Sequence, residues 1–472
     1  MMCARIERDS LGEMEVPEDA YYGIHTTRSL ENFKISDKRF QVEFIESLAI
    51  IKLAAARANH RRGLLDERKA DAIQKACLEL IEGDEKFAGQ FPLDIFQAGS
   101  GTSTNMNMNE VIANRAAEIL GGKKGDRTVV HPNDDLNMGQ STNNVIPAAI
   151  RITALRLMGG VIGSLKDLSI SLKDKSDEFK GVIKSGRTHL QDAVPITLGQ
   201  EFNAYHTAIE KDISRLEGVK AILSYLGVGG NAVGTGINTY PAFRRDVIAE
   251  ISAITGIDFK VPDDGIEITQ FLTDLAHLSS ILKLTSLDIN KIANDLRLMG
   301  SGPRTGLYEI VIPAVEPGSS IMPGKVNPSI LEAVNMACFM IQGNDLVVSN
   351  AAQAGQLDLN THMPIIAYCV IDSMKLLSRI GTVMAAKCVD GITANKKRCQ
   401  EFFNNSIALA TILNPYIGYD KAAEVAKKAL ACRKTIREVI IEEGILDEEV
   451  LESILDPESL TSPNIANKNS KD

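Results

Sequence analysis

The chain lacks an excess of positive charge: 51 Lys and Arg stand against 61 Asp and Glu, a formal net charge of −10. Neutralising a phosphate backbone needs a basic face, so nucleic acid is excluded as a partner. Any anionic substrate must find a locally positive pocket against the overall field. The sequence also lacks an uninterrupted apolar run near about eighteen residues, so no membrane span is expected. Its start, MMCARIERDSLGEMEVPEDA, has no apolar core of a signal peptide. The seven cysteines (Cys3, Cys77, Cys338, Cys369, Cys388, Cys399, Cys432) include no CxxC pair, and the seven histidines form no HxxxH or HxH cluster. A zinc site is therefore not expected. Most of the cysteines read as small buried hydrophobes, and the compartment as the cytoplasm. Internal repeats, low-complexity blocks and the strand–helix alternation of a parallel sheet are missing too.

What is present is long helical periodicity. With 472 residues, two or three domains are expected. Apolar residues recur at three- and four-residue steps over 151–181 (Leu155, Met158, Ile162, Leu165, Leu168, Leu172), 200–223 and 267–296. The stretches 329–350 and 364–388 are long, apolar and free of internal proline. Such stripes must bury against one another, which predicts an all-α protein built on an antiparallel bundle. Shorter helices are predicted over 44–61, 66–83 and 109–121. Short helices are also expected beyond about residue 390, before a polar tail, SPNIANKNSKD, disordered at its tip.

Four polar, glycine-bearing islands stand out: GSGTSTNMNMN (99–109), GQSTNN (139–144), SGRTHLQD (185–192) and GSSIMPGKVNP (318–328). Each is read as placing Ser, Thr or Asn donors near a helix start, where free N–H groups and the dipole favour an anion. The bland alternative is that they are N-caps and turns. Within the last island, Gly318 and Gly324 permit sharp bends while Pro323 and Pro328 stiffen the frame. Arg187, His189 and Lys325 offer positive charge, and Glu332 is a residue that could orient His189. A carboxylate-bearing small molecule suits this set. The segment GVGGNA (227–232) fits a dinucleotide fingerprint, but helical sequence precedes it and no βαβ unit follows, so nucleotide binding is set aside.

GSSIMPGKVNP resembles the signature loop of the aspartase/fumarase superfamily. The resemblance extends from VPEDAYYGIHTTRSLENF near the start to GITANKKRC and NPYIGYDKAAEVAKKA near the end. It implies a three-domain all-α fold: residues 1–141, a central long-helix bundle at 142–395, and a small helical domain at 396–472. It further implies a homotetramer with a twenty-helix core and active sites shared by three subunits. Members eliminate ammonia, water or a larger amine from a succinate skeleton to release fumarate. Carried over by position, Ser319 takes the proton. Thr102, Ser141, Thr142 and Ser320 hold the β-carboxylate, with Met322 in the same loop. Asn143 and His189 face the leaving group, and Thr188, Lys325 and Asn327 bind the α-carboxylate. No cofactor is implied, though a divalent ion such as Mg2+ activates some relatives.

Two branches compete. Thr102 followed by Ser103, QSTN at 140–143, NDLRLMGSGPRTGL at 294–307 and AGQLDLN from Ala354 resemble the amine-eliminating branch. HPNDD at 131–135 resembles a second, non-catalytic carboxylate site of the water-eliminating branch. Asn144 departs from both, which usually carry aspartate there. The amine branch is favoured; a hydratase, or a retired enzyme serving as a structural protein, are the alternatives.

Overall fold

The apolar stripes fold as five long helices, Thr142–Glu178, Leu198–Leu223, Thr273–Met299, Ser329–Gln353 and Met363–Lys387. The computed structural model describes residues 4–456 and 460–463; Cys3 and most of the polar tail lie outside them. Three helices match their expected bounds closely, and two do not. The first begins at Thr142 and carries Pro147 in its second turn, where the missing N–H removes one ladder bond. The stretch expected at 267–296 is divided into Glu267–Gln270 and Thr273–Met299, because Phe271 takes an extended backbone (φ −103°, ψ 133°). Strands among the described residues are confined to three two-stranded antiparallel pairs. The fold is all-α.

Contacts divide the chain into two units. One holds the residues up to 162 with 214–286 and 338–378; the other holds 163–213, 287–337 and the residues from 379 on. In the first unit, helix Val42–Arg61 is enclosed on nearly all sides, from Phe44 and Leu48 to Ala58. Such all-round burial marks a central core helix. Glu110, buried on helix Thr102–Ile119, accepts the backbone N–H groups of Gly23 (2.9 Å), His25 (2.8 Å) and Thr26 (3.1 Å). A carboxylate at the start of helix Ile24–Asn32 thus satisfies donors that the helix cannot. The helix expected at 109–121 starts earlier, at Thr102. Gly101 makes the turn at φ +86°, and a Cβ there would meet Ile146 Cγ1 at 3.0 Å. Gln97 Oε1 then caps the first turn through the Thr104 N–H (2.9 Å) and hydroxyl (2.8 Å).

In the second unit, strands Ile183–Thr188 and Gln191–Thr197 form a hairpin with an irregularity between Ser185 and Gly186. Ile183 packs into a core with Phe403, Leu413, Val425, Ile440 and Leu451 of the short C-terminal helices. Helix Thr142–Glu178 is long and apolar enough to cross a bilayer by length and composition, yet 72% of that window is buried inside the protein. A core helix passes the same test. The cysteines follow expectation: Cys77, Cys338, Cys369, Cys388 and Cys399 are buried and Cys432 is exposed. Burial pushes the Cys77 thiol up to about 12.

Candidate active site

The first unit brings two of the polar islands together. Helix Thr102–Ile119 starts at one island and helix Thr142–Glu178 at another. Asn105, in the first turn of the former, donates its Nδ2 to Thr142 Oγ1 at 3.0 Å. Two helix N-termini, each with a positive dipole end, therefore adjoin. Ser141 caps the second: its backbone carbonyl accepts Asn144 N (3.1 Å) and Val145 N (3.0 Å), and its hydroxyl accepts Asn143 N at 3.3 Å. Capping and ligand binding are compatible here, because Ser141 and Thr102 remain partly open to solvent. Asn143 donates to the Ala232 carbonyl at 2.7 Å. The glycine-rich segment at 227–232 thus holds the side chain of Asn143, a candidate site residue, in a loop that follows a helix and not a strand.

Behind this turn lies a network that spacing alone did not disclose. Lys52, wholly buried, donates to Asn137 Oδ1 (3.0 Å) and Gln140 Oε1 (3.1 Å). Asn137 returns a bond to the Gln140 carbonyl (2.9 Å), and Gln140 Nε2 donates to the Leu136 carbonyl (2.8 Å). Burial lowers the Lys52 pKa to about 7, only weakly countered by the Cys77 thiol. The available signal was one lysine inside the apolar run AIIKLAAA.

In the second unit, the island at 185–192 is a β-hairpin, correcting its placement at a helix start. Its tip is His189 and Leu190, both left-handed at φ +56° and +57°. Successive positive φ values give a tight turn that matches strand twist. Thr188 and His189 are exposed at this tip. Arg187 is not free for a ligand: Nη1 lies 2.8 Å from Glu309 Oε1, and the guanidinium sits 5.1 Å from the Phe402 ring centroid. Lys184 joins Glu309 (2.9 Å) and Glu201 (2.8 Å) in the same buried cluster. Burial raises the Glu201 pKa against the pull of Lys184. Glu332, which could orient His189, pairs within this chain with Arg297 at 3.6 Å.

The loop at 318–328 is a closed neck with an exposed head. Gly318 N donates to the Lys325 carbonyl (3.0 Å), and Asn327 Nδ2 donates to the Gly318 carbonyl (2.5 Å). A Cβ on Gly318 would stand 2.4 Å from that Lys325 oxygen, so only glycine fits. At the head, Ser319 Oγ accepts the backbone N–H groups of Met322 (2.9 Å) and Ile321 (3.2 Å). Ser320, Met322 and Lys325 are exposed, and Lys325 makes no ion pair among the described residues. A hydroxyl oxygen that already receives two N–H donors is stabilised as an alkoxide. No group of three or more His, Cys, Asp or Glu among the described residues is arranged to hold a metal ion.

His131, with His25, Arg28, Arg127 and Ser103, lines a cavity of about 450 Å³ in the first unit. The His131 ring Nδ1 accepts Asp134 N at 3.0 Å, while its backbone N–H reaches Asp135 Oδ2 at 2.7 Å.

A fold made of long helices, with small polar donors gathered at helix starts and a serine cradled by backbone amides, defines a lyase. The family model described as lyase matches residues 12–343, and that for the fumarase C C-terminus matches 409–462. The chain belongs to the aspartase/fumarase superfamily. It is 47% identical to the aspartate ammonia-lyase of Pseudomonas aeruginosa over 98% of each chain. It is 49% identical to the class II fumarate hydratase of Halobacterium salinarum over 97% of each. A solved fumarate lyase:delta crystallin from Brucella melitensis, bound to cobalt, aligns with a TM-score of 0.94 at 48% identity, covering 98% of this chain and 100% of that one.

Proposed function

We propose that the protein is an aspartate ammonia-lyase, eliminating ammonia from L-aspartate to give fumarate. The observation that carries this reading is Ser319, whose Oγ receives two backbone N–H groups in a glycine-framed loop. Serine is a poor base unless its alkoxide is stabilised, and those donors supply the stabilisation. The Ser319 alkoxide takes the Cβ proton and becomes a hydroxyl. The C–H electron pair moves into the adjacent carboxylate, which gains a second negative charge. That pair then returns to form the Cα–Cβ double bond as the C–N bond breaks, and the nitrogen leaves with its electrons.

Thr102, Ser141, Thr142 and Ser320 hold the carboxylate on which charge develops. The adjoining helix N-termini at Thr102 and Thr142 are suited to it. Thr188, Lys325 and Asn327 take the other carboxylate, while Asn143 and His189 face the amine. Closure of the loop over substrate, with Met322 at its head, expels water and strengthens these contacts. The reaction needs no cofactor. The working form is a cytoplasmic homotetramer whose sites draw residues from three subunits. Exposed apolar side chains along helix Ser329–Gln353 (Met336, Phe339, Met340, Leu346) support burial against another copy.

The two identities above, 47% and 49%, do not separate an amine from a hydroxyl leaving group. Thr102, Ser103 and the QSTN segment favour the amine. A site built around one polar group rejects the other strongly, because its buried partners go unpaired. Purified protein should form fumarate rapidly from L-aspartate and little from L-malate, followed by ultraviolet absorbance at equal enzyme concentration. Fumarate from L-malate with none from L-aspartate would establish the hydratase reading instead. Silence on both would mark a retired homologue.

A further inference from the structure

A fully buried ammonium ordinarily finds a carboxylate. Lys52 has none among the described residues: its two Nζ partners are the amide oxygens of Asn137 and Gln140. From there the bonds lead directly to the proposed carboxylate cradle. Asn137 Oδ1 also accepts Asn105 Nδ2 at 3.3 Å, and Asn105 Nδ2 reaches Thr142 Oγ1 at 3.0 Å. Two further buried oxygens, Oδ1 of Asn105 and of Asn109, have no donor among the described residues. The cluster therefore offers acceptors in excess, which suits the three-donor ammonium better than the amine.

We infer that Lys52 is a positioning residue for the turn at 140–142, a buried cation left without a counter-charge until a carboxylate arrives at Ser141 and Thr142. This rests on the proposed reading of that turn as a carboxylate site. Among the described residues, the surrounding elements supply no rival counter-charge. Helix Glu67–Ile81 presents the buried Cys77 thiol, and its Lys69 pairs with Asp135 at 2.8 Å. On helix Phe243–Thr255, Asp246 pairs with Arg62 (2.8 Å) and Glu250 with Arg61 (2.6 Å). On helix Thr102–Ile119, Glu110 caps helix Ile24–Asn32 and Arg115 pairs with Glu79 at 2.7 Å.

Burial that brings the Lys52 pKa to about 7 leaves ammonium and amine both populated near neutrality. A carboxylate bound at the adjoining helix start favours the ammonium, so ligand binding should draw a proton from solvent. Titration calorimetry of the intact protein with fumarate, in two buffers of different ionisation enthalpy, reads this directly. Near pH 7 the expected uptake approaches about half a proton per fumarate bound. It should vanish near pH 5.5, where Lys52 is already protonated in the free protein. It should also be lost in Lys52→Met and in Lys52→Arg, whose guanidinium stays charged. The wild-type pH series carries the test even if a variant does not assemble. Fumarate binding without uptake, or undiminished uptake in a variant that binds, overturns the inference. Failure of wild type to bind fumarate overturns the site reading, and this inference with it.

Discussion

The loop at 318–328 and the turn at 140–142 display the same small polar side chains, yet they are held in opposite ways. The loop's bonds are internal: Gly318 to Lys325, Asn327 to Gly318, and Ser319 to the N–H groups of Ile321 and Met322. Its head is open, with Ile321 82% exposed. The turn is tied to other segments, through Lys52 on one helix and Asn105 on another, and Gln140 is buried. A segment bonded mainly to itself can move as a unit at low cost, whereas one stitched to several elements moves only with them. The division suits the proposed elimination: the cradle for the charge that develops on the carboxylate would stay fixed, and the proton acceptor would arrive with the closing loop.

Removing the proposed acceptor should give the largest effect. Ser319→Ala leaves the loop's neck intact and deletes the oxygen that receives both N–H groups. Turnover should fall by at least about a thousandfold, while assembly and melting temperature stay put. A variant retaining a tenth of the wild-type rate would place the base elsewhere and dissolve the contrast between mobile acceptor and fixed cradle. Lys325→Ala comes next. In the proposed site its charge would meet a carboxylate present before and during reaction, so KM should rise while kcat also falls, together costing about ten- to a hundredfold in kcat/KM. An unchanged KM would mean Lys325 does not touch the ground-state substrate.

How much of this was legible in the sequence depended on whether the signal was local. Leu155 through Leu172 at helical spacing sufficed for a core helix, because burial of one stripe needs only that stripe. The glycines of the 318–328 loop were equally readable, and Gly318 does make the close approach to the Lys325 carbonyl. The NMNMN run misled: asparagine usually competes with helical bonding, but Asn105, Asn107 and Asn109 are buried in side-chain hydrogen bonds that the run itself cannot reveal. The hairpin was missed because its turn is His189 and Leu190, not the Asn-Gly that announces two positive φ values. Lys52 was missed because its partners lie 85 and 88 residues away. Spacing does not reach that far.

The smallest expected effect would sharpen the comparison through stability. The Lys52 pKa is about 7 in the fold against an ordinary 10.5, with desolvation as the main cause. Between those values the unfolded chain binds more protons than the folded one, so this residue's contribution to stability rises with pH. Below about pH 7 both states carry the charge and the full burial penalty applies; above about pH 10.5 neither does. In Lys52→Met that slope disappears. The melting temperature of wild type minus that of Lys52→Met should therefore grow steadily from about pH 6.5 to about pH 9, by a few degrees at most. Wild type minus Ser319→Ala should stay level over the same range. A level difference for Lys52 as well would mean that its ammonium meets water or a counter-charge in the free protein. The turn at 140–142 would then be no more buried, electrostatically, than the loop it is set against.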